Sequence, residues 1–238
     1  TVIEHQFSRE DGSFCQDLSG HFMDLSPQIR SQNPHMHLLE ATLYLLELDK
    51  QNPRYLTLVN RLLNLFENKI LGNGNNLVRE YLDQSFKPSL VNSFIIEPGH
   101  HYEWAWLLNW SDKIHERKKY GTLTKTLFDT GWRLGWDFNN GGVFDEVDCV
   151  NNQVSLSTKR FWPLLELIKV LSVLPGNSHG DDLISALTIV LERYIQPNGI
   201  WTERFDQNWT AIDRTMPTSS LYHMAMAILE LKERKLKN

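Results

Sequence analysis

Two stretches of this chain, Arg79-Glu80-Tyr81-Leu82-Asp83-Gln84-Ser85-Phe86 and Glu203-Arg204-Phe205-Asp206-Gln207-Asn208-Trp209, follow one pattern, and Gly142-Val143-Phe144-Asp145-Glu146-Val147 stands between them. Their aspartates sit at positions 83, 145 and 206, two nearly equal steps along the chain. Each is followed by a loop and then an apolar helical pattern. Those helices carry His100, Trp162 and His223, which repeat the same two steps, and one further step back from His100 reaches His37 in another such helix. A fixed period of this length marks a repeat architecture, in which a unit buries its apolar face by stacking on its neighbours.

Each unit reads as a helical hairpin. First helices are expected at 33–49, 98–116, 159–174 and 216–234, and second helices at 53–71, 119–137 and 180–195. Leu38, Ala41, Leu45 and Leu48 mark an apolar face on the first of these, and Leu56, Val59, Leu63, Phe66 and Ile70 on its partner. Pro53 and Pro98 stand where a helix can start without an amide donor. Asn73-Gly74, Asn140-Gly141-Gly142 and Asn198-Gly199 punctuate helix ends, and short strand-like pieces such as Ile200-Trp201-Thr202-Glu203-Arg204-Phe205 follow. Hairpins of this length suit a ring with the first helices inside. An (α/α)6 barrel takes six hairpins, and 238 residues supply nearly four. The expectation is an all-α chain whose residues 1–238 form a single, partial (α/α)6 barrel domain with short β segments in its loops. Apolar helix faces would then stand exposed where further hairpins belong. A start at Thr1 rather than methionine agrees with a fragment or a processed end.

Composition narrows the function. A chain 41% hydrophobic and 22% charged folds rather than staying disordered. Lys and Arg number 24 against 29 Asp and Glu, a net charge of −5, which argues against a nucleic-acid partner. No apolar run approaches the roughly 18–20 residues that cross a bilayer, so no membrane partner is expected. Cys15 and Cys149 are too few for a disulfide framework or a Cys-rich zinc site. With no signal-peptide pattern visible, they fit a reducing, cytoplasmic setting.

The residues suited to chemistry lie on the first helices. Helical spacing puts Asn33, His37 and Glu40 on one face, with His35 directed elsewhere, and puts His100, Glu103 and Trp104 on another. A carboxylate one turn from a histidine holds its tautomer and favours its protonated form. His223 falls in the first turns of its helix, where Thr218 or Ser219 can cap and the positive helix end disfavours the imidazolium. Two imidazoles with opposite biases are the pattern of an acid/base pair. His35 and His37 diverge by about 200° around a helix, which leaves too few convergent donors for a metal, so no metal is expected. Among eight tryptophans, Trp162 takes the histidine place of its repeat and suits the wall of a sugar pocket, whereas Trp106 and Trp110 read as core.

The motifs Asn33-Pro34-His35-Met36-His37-Leu38-Leu39-Glu40-Ala41 and Glu97-Pro98-Gly99-His100-His101-Tyr102-Glu103-Trp104, with the closing Tyr222-His223, resemble the N-acylglucosamine 2-epimerase family, most of all its bacterial mannose isomerase branch. The resemblance covers nearly the whole chain. It implies (α/α)6 barrels of about six hairpins, so that this chain would be roughly the C-terminal three-fifths of such an enzyme. It also implies interconversion at C1 and C2 of an aldose, of mannose–fructose type, without a metal or other cofactor. By this resemblance His100 and His223 are the catalytic pair, exchanging the C2 proton through an enediol-type intermediate. Asn33 and His37 would hold the substrate or assist ring opening. Glu103 would orient His100, Trp162 would line the sugar site, and Glu40 and Trp104 would support it. The chain departs from the family in two places: the substrate-binding arginine from N-terminal hairpins has no counterpart, and Leu221 precedes Tyr222-His223 where proline is common. Thr218 and Ser219 occupy the place of a tryptophan usual in disaccharide epimerases, which leans toward a monosaccharide substrate. Homo-oligomerisation stays open.

Three other readings stay beside this one. The first is 2-epimerisation of N-acylglucosamine or another sugar. The second is glycoside hydrolysis on the same architecture, with Glu40, Glu103 and Asp206 as candidate carboxylates. The third is an inactive fragment that binds a partner through exposed apolar surface.

Overall fold

Paired helices are what the computed structural model shows over the residues it describes, 3–71, 76–88, 94–175 and 179–237. The Asn73-Gly74 break lies outside them. The chain divides into two compact units, Thr1–Ile96 with Trp110–Lys119, and Glu97–Asn109 with Tyr120–Asn238.

The first unit holds strand β1 (Ile29–Ser31), helix α1 (Asn33–Leu48), helix α2 (Pro53–Leu65), strand β2 (Tyr81–Asp83) and the short strand β3 (Ile95–Ile96). The Asn52 side chain accepts from Arg54 N at 3.1 Å and Pro53 opens α2, so the start of this helix is capped by chemistry local to it. After Leu65 the chain continues through wider π-type turns over Phe66–Ile70. β1 and β2 pair antiparallel, with Arg30 opposite Leu82. Helix α1 packs on α2. The apolar face read from periodicity is present on α1 but is not its packed face: Ala41, Leu45 and Leu48 are exposed, Leu48 by 86%, and Leu38 is half-buried. Met36, Leu39, Leu43 and Leu46 fill the core instead. The helix carries two apolar stripes, and a period of 3.6 residues does not say which of them a neighbour will cover.

His35 goes into the core of this unit. Its Nδ1 donates to Ser31 O at 2.9 Å and its Nε2 accepts from Phe14 N at 2.9 Å, so the ring is a neutral tautomer bound on both sides. Burial lowers its pKa from the ordinary 6.5 to about 4.

The second unit holds α3 (Pro98–Ile114) as far as Asn109, then α4 (Gly121–Gly135), β4 (Glu146–Asp148), β5 (Gln153–Leu156), β6 (Lys159–Arg160), α5 (Phe161–Val173), α6 (Gly180–Ile189), β7 (Arg204–Phe205), β8 (Ala211–Asp213) and α7 (Thr218–Lys237). Helix α5 packs on both α6 and α7. It is buried throughout except at Trp162 and at its last residue, Val173, as an apolar circumference requires. Strands β6, β7 and β8 form an antiparallel sheet, with Arg160 opposite Arg204 and Phe205 opposite Ala211. Gly141 and Gly142 adopt φ of +72° and +88°, and a Cβ on Gly142 would lie 2.9 Å from the Trp209 ring. Glycine there serves both the turn and the close approach.

The repeat is visible in the hairpin tips of both units. Ser19 N donates to Met23 O, Asp83 N to Lys87 O and Asp206 N to Thr210 O, each at 2.9 Å. In each tip the residue three places on, Phe22, Phe86 or Trp209, has a positive φ of 59–67°. The Asp83 and Asp206 carboxylates accept two backbone amides of their own tips, and the Ser19 hydroxyl does the same. Asp145, the middle member of the aspartate period, does other work. It is buried and binds Thr158 Oγ1 at 2.5 Å and Arg160 at 3.0 Å, while Asp148 caps the local tip.

This packing makes Gly135 and Tyr102 sensitive probes of the core. A Cβ at Gly135 would lie 2.2 Å from Pro98 Cβ, a rigid ring. Overpacking of about 1–3 kcal/mol outweighs the gain of about 1 kcal/mol that alanine brings to a helix. Gly135→Ala therefore lowers the urea midpoint. Tyr102 is fully buried and its hydroxyl has no hydrogen-bond partner among the described residues, so Tyr102→Phe keeps or raises that midpoint. For His35 the unfolded state binds the proton more readily. Stability is complete above about pH 6.5 and falls as the pH drops toward 4, by about 3 kcal/mol in total. Denaturation at stepped pH shows this slope in the wild type, and His35→Gln loses it.

Candidate active site

The second unit brings together His100, Trp162 and His223, the residues at matching places of three successive repeats. Helix α3 opens on Pro98, and its first turn closes with His100 N donating to Glu97 O at 3.0 Å. Gly99 is needed in that turn, because a Cβ there would lie 2.5 Å from Trp162 Cζ3. The half-buried indole lies beside both imidazoles, tilted to each. Its ring centroid is 4.8 Å from that of His100, at 34°, and 5.6 Å from that of His223, at 33°. Both histidines are buried.

His223 is anchored from α5. Its Nδ1 lies 2.6 Å from Glu166 Oε1, and Glu166 Oε2 lies 2.8 Å from Lys169 Nζ. Both members of that ion pair are fully buried. Burial pushes the Glu166 carboxyl up, but the Lys169 ammonium and the His223 bond outweigh it and hold the group below its ordinary value. An ionised carboxylate only accepts, so Nδ1 of His223 donates and a neutral ring keeps Nε2 bare. Lys169 also lies 3.8 Å from the centre of the Trp106 ring, whose Nε1 donates to Glu230 at 3.0 Å. Glu103, one turn after His100 and fully buried, places a carboxylate oxygen within 4.8 Å of ligand atoms of Glu166 and His223.

Arg160 enters beside Trp162, its guanidinium 5.2 Å from the indole centre. Asp145 binds it at 3.0 Å and Glu97 at 2.5 Å, and these carboxylates raise its pKa against the effect of burial. At the start of α7 the Ser220 hydroxyl donates to Glu203 at 2.9 Å, and Glu203 also accepts from Trp201 Nε1 at 3.2 Å. Burial pushes the Glu203 carboxyl up.

Asn33, His37 and Glu40 belong to the first unit and share a face of α1, as their spacing predicts. His37 Nδ1 lies 3.9 Å from Glu40 Oε2, with the His37 side chain 42% exposed and Glu40 buried. Trp104 is fully buried core. Trp110 packs edge-on against Tyr44 at 4.6 Å, as a core residue would. Trp106 is core as well, but also the surface on which Lys169 rests. Asp206 uses its carboxylate in its own turn.

Glu103, Glu166 and His223 together could offer three donors to a cation. The ammonium of Lys169 already meets Glu166, which puts a positive charge where a divalent ion would have to come. The residues that sequence reasoning missed are Glu166 and Lys169. A signal was available: they are the two charged residues of Phe161–Val173, at i+4 and i+7 from Trp162. Charges in a helix that is apolar all round have to be paired.

The model of the N-acylglucosamine 2-epimerase (GlcNAc 2-epimerase) family matches residues 1–227. The chain is 27% identical over 232 residues to a mannose-6-phosphate isomerase of Rhizobium meliloti (strain 1021), covering 91% of this chain and 58% of that protein. It is 29% identical over 150 residues to a D-mannose isomerase of Marinomonas mediterranea, covering 58% of this chain and 38% of that one. Among solved structures, a D-mannose isomerase superposes with a TM-score of 0.86 at 24% identity, over 98% of this chain and 63% of that chain. A cellobiose 2-epimerase from Bacillus thermoamylovorans B4167 gives 0.82 at 17% identity, with the same coverage. The chain thus spans less than two thirds of the length of these relatives. Its mostly helical fold is that of the (α/α)6 barrel epimerases. With a match over 227 of its 238 residues, the chain belongs to the N-acylglucosamine 2-epimerase family.

Proposed function

We propose that this chain carries the proton-transfer machinery of a sugar isomerase that interconverts an aldose and a ketose, of mannose–fructose type, at C1 and C2. The observation that carries the proposal is the flat indole of Trp162 beside two buried imidazoles, one of them held by a carboxylate. A proton next to a carbonyl is weakly acidic, so its removal needs a base in reach and a donor to the developing enediolate oxygen. Nε2 of His223 supplies an acceptor whose tautomer is set from behind. His100, across Trp162, supplies the second group, and the indole offers a surface for the C–H face of a sugar. Return of the proton to C1 gives the ketose.

The names of the relatives support isomerisation of a mannose-type sugar. The cations described beside the histidines, Arg160 and Lys169, are each matched by carboxylates, which favours an uncharged monosaccharide over a sugar phosphate. The alternative is 2-epimerisation of N-acylglucosamine or a related sugar, favoured by the family match, with the proton returned to the other face of C2. Glycoside hydrolysis fits less well. Asp206, one of its candidate carboxylates, accepts two amides of its own turn, and Glu166 beside His223 is engaged on both oxygens, by His223 and by Lys169, whereas a hydrolase needs carboxylates able to give a proton or attack. The proposal includes one repeat domain over 1–238, supported by the shared hairpin tips. It also includes a reducing, cytoplasmic setting, supported by the buried thiols of Cys15 and Cys149. Among the described residues no helix is long and apolar enough to cross a membrane.

The test is D-mannose in deuterated water, with the chain as it stands and with the longest product of its gene. Isomerisation puts deuterium at C1 of fructose and at C2 of recovered mannose. His100→Gln and His223→Gln each lower kcat by about 100-fold or more. Full activity in either variant overturns the assignment. Gly99→Ala, which drives a methyl into the Trp162 ring, lowers kcat about tenfold while circular dichroism stays unchanged.

A further inference from the structure

We propose that Lys169 is a positioning residue for His223: by keeping Glu166 a carboxylate, it fixes the imidazole tautomer that leaves Nε2 bare. The catalytic consequence rests on the isomerase reading above, and the tautomer itself does not.

Glu166 is fully buried, and a second buried carboxylate, that of Glu103 on α3, has an oxygen within 4.8 Å of the Glu166–His223 ligand atoms. Two carboxyls so placed in a dry interior favour uptake of a proton by one of them. The group that opposes this is the Lys169 ammonium, 2.8 Å from Glu166 Oε2 and one helical turn away on the same helix. Its own position is set from outside α5: it rests 3.8 Å from the centre of the Trp106 ring on α3, and Trp106 is held by Glu230 of α7. Three helices therefore place one positive charge against one oxygen of Glu166, while the other oxygen faces His223 Nδ1 at 2.6 Å.

Removal of the ammonium reverses this arrangement. The Glu166 carboxyl then takes a proton from solvent, and as a neutral acid its O–H donates to Nδ1. The ring proton moves to Nε2, the nitrogen that should accept the substrate's proton. The polypeptide gains one proton in all, and the histidine presents an N–H in place of a lone pair.

The experiment uses chain with 15N-labelled imidazoles, read by NMR near neutral pH, with the His223 signals assigned from His223→Gln. Wild type and Lys169→Arg show a protonated Nδ1 and a bare Nε2. Lys169→Met shows the reverse. Its kcat on the isomerase substrate falls by about tenfold or more, with KM within about threefold. Should Lys169→Met not fold, Lys169→Gln, which keeps a donor to Glu166 without its charge, is expected to show the same reversal. A folded, charge-free variant with the wild-type tautomer overturns the proposal, as does a wild type already protonated on Nε2. A reversed tautomer in a chain whose wild type moves no deuterium leaves Lys169 its role and defeats the isomerase reading. An active wild type with an unmoved tautomer does the opposite.

Discussion

A helix buried on every side cannot hold a lone charge, and α5 holds two. Taking a carboxylate or an ammonium out of water costs several kcal/mol unless a partner offsets it, and breaking such a pair costs about 3–5 kcal/mol. Glu166 and Lys169 meet this constraint by binding each other, and then His223 of α7 and the Trp106 face of α3. Helix α5, buried along nearly its whole length, is thereby joined to its neighbours by charge as well as by apolar packing. One consequence is mechanical, since it fixes the register of three helices. The other is chemical, since it delivers a histidine of defined tautomer.

Repetition explains why so few residues suffice. Matching positions of successive hairpins become spatial neighbours, so one repeat along the chain turns into one ring-to-ring step in space. His100, Trp162 and His223 stand in that relation, with Trp162 in the middle. Glu97 and Arg160, each just before a first helix and one repeat apart, form an ion pair by the same rule. The tip loops obey it with different side chains: a serine hydroxyl at Ser19 and carboxylates at Asp83 and Asp206 accept the same two amides. What is kept from unit to unit is a backbone that needs capping and one residue with positive φ.

Local agreement with the repeat does not make the parts interchangeable. Asp145 keeps the period of its relatives but turns inward to Arg160, and Asp148 takes over the turn. Trp162 keeps the place of a histidine and supplies a flat wall instead of a titratable ring. Helix α1 keeps the apolar pattern of a first helix and presents one of its two stripes to solvent. In each case the backbone role is set by periodicity and the side-chain role by what packs against it.

The hairpin period, the helices to within two or three residues at most ends, and the three positions His100, Trp162 and His223 are all legible in the order of residues. They follow from short-range rules: 3.6-residue periodicity, proline at helix starts, glycine and asparagine at their ends. The pairing of His223 with Glu166 spans 57 residues and that of Trp106 with Glu230 spans 124, and no local pattern announces which charge will meet which ring. From sequence the positive end of α7 is expected to act on His223, and packing sets a carboxylate behind the ring as well. Packing likewise chooses which stripe of α1 is buried. Such choices depend on which helices meet, and the energy that settles them, burial of apolar area and pairing of charges out of water, exists only once the chain has closed on itself.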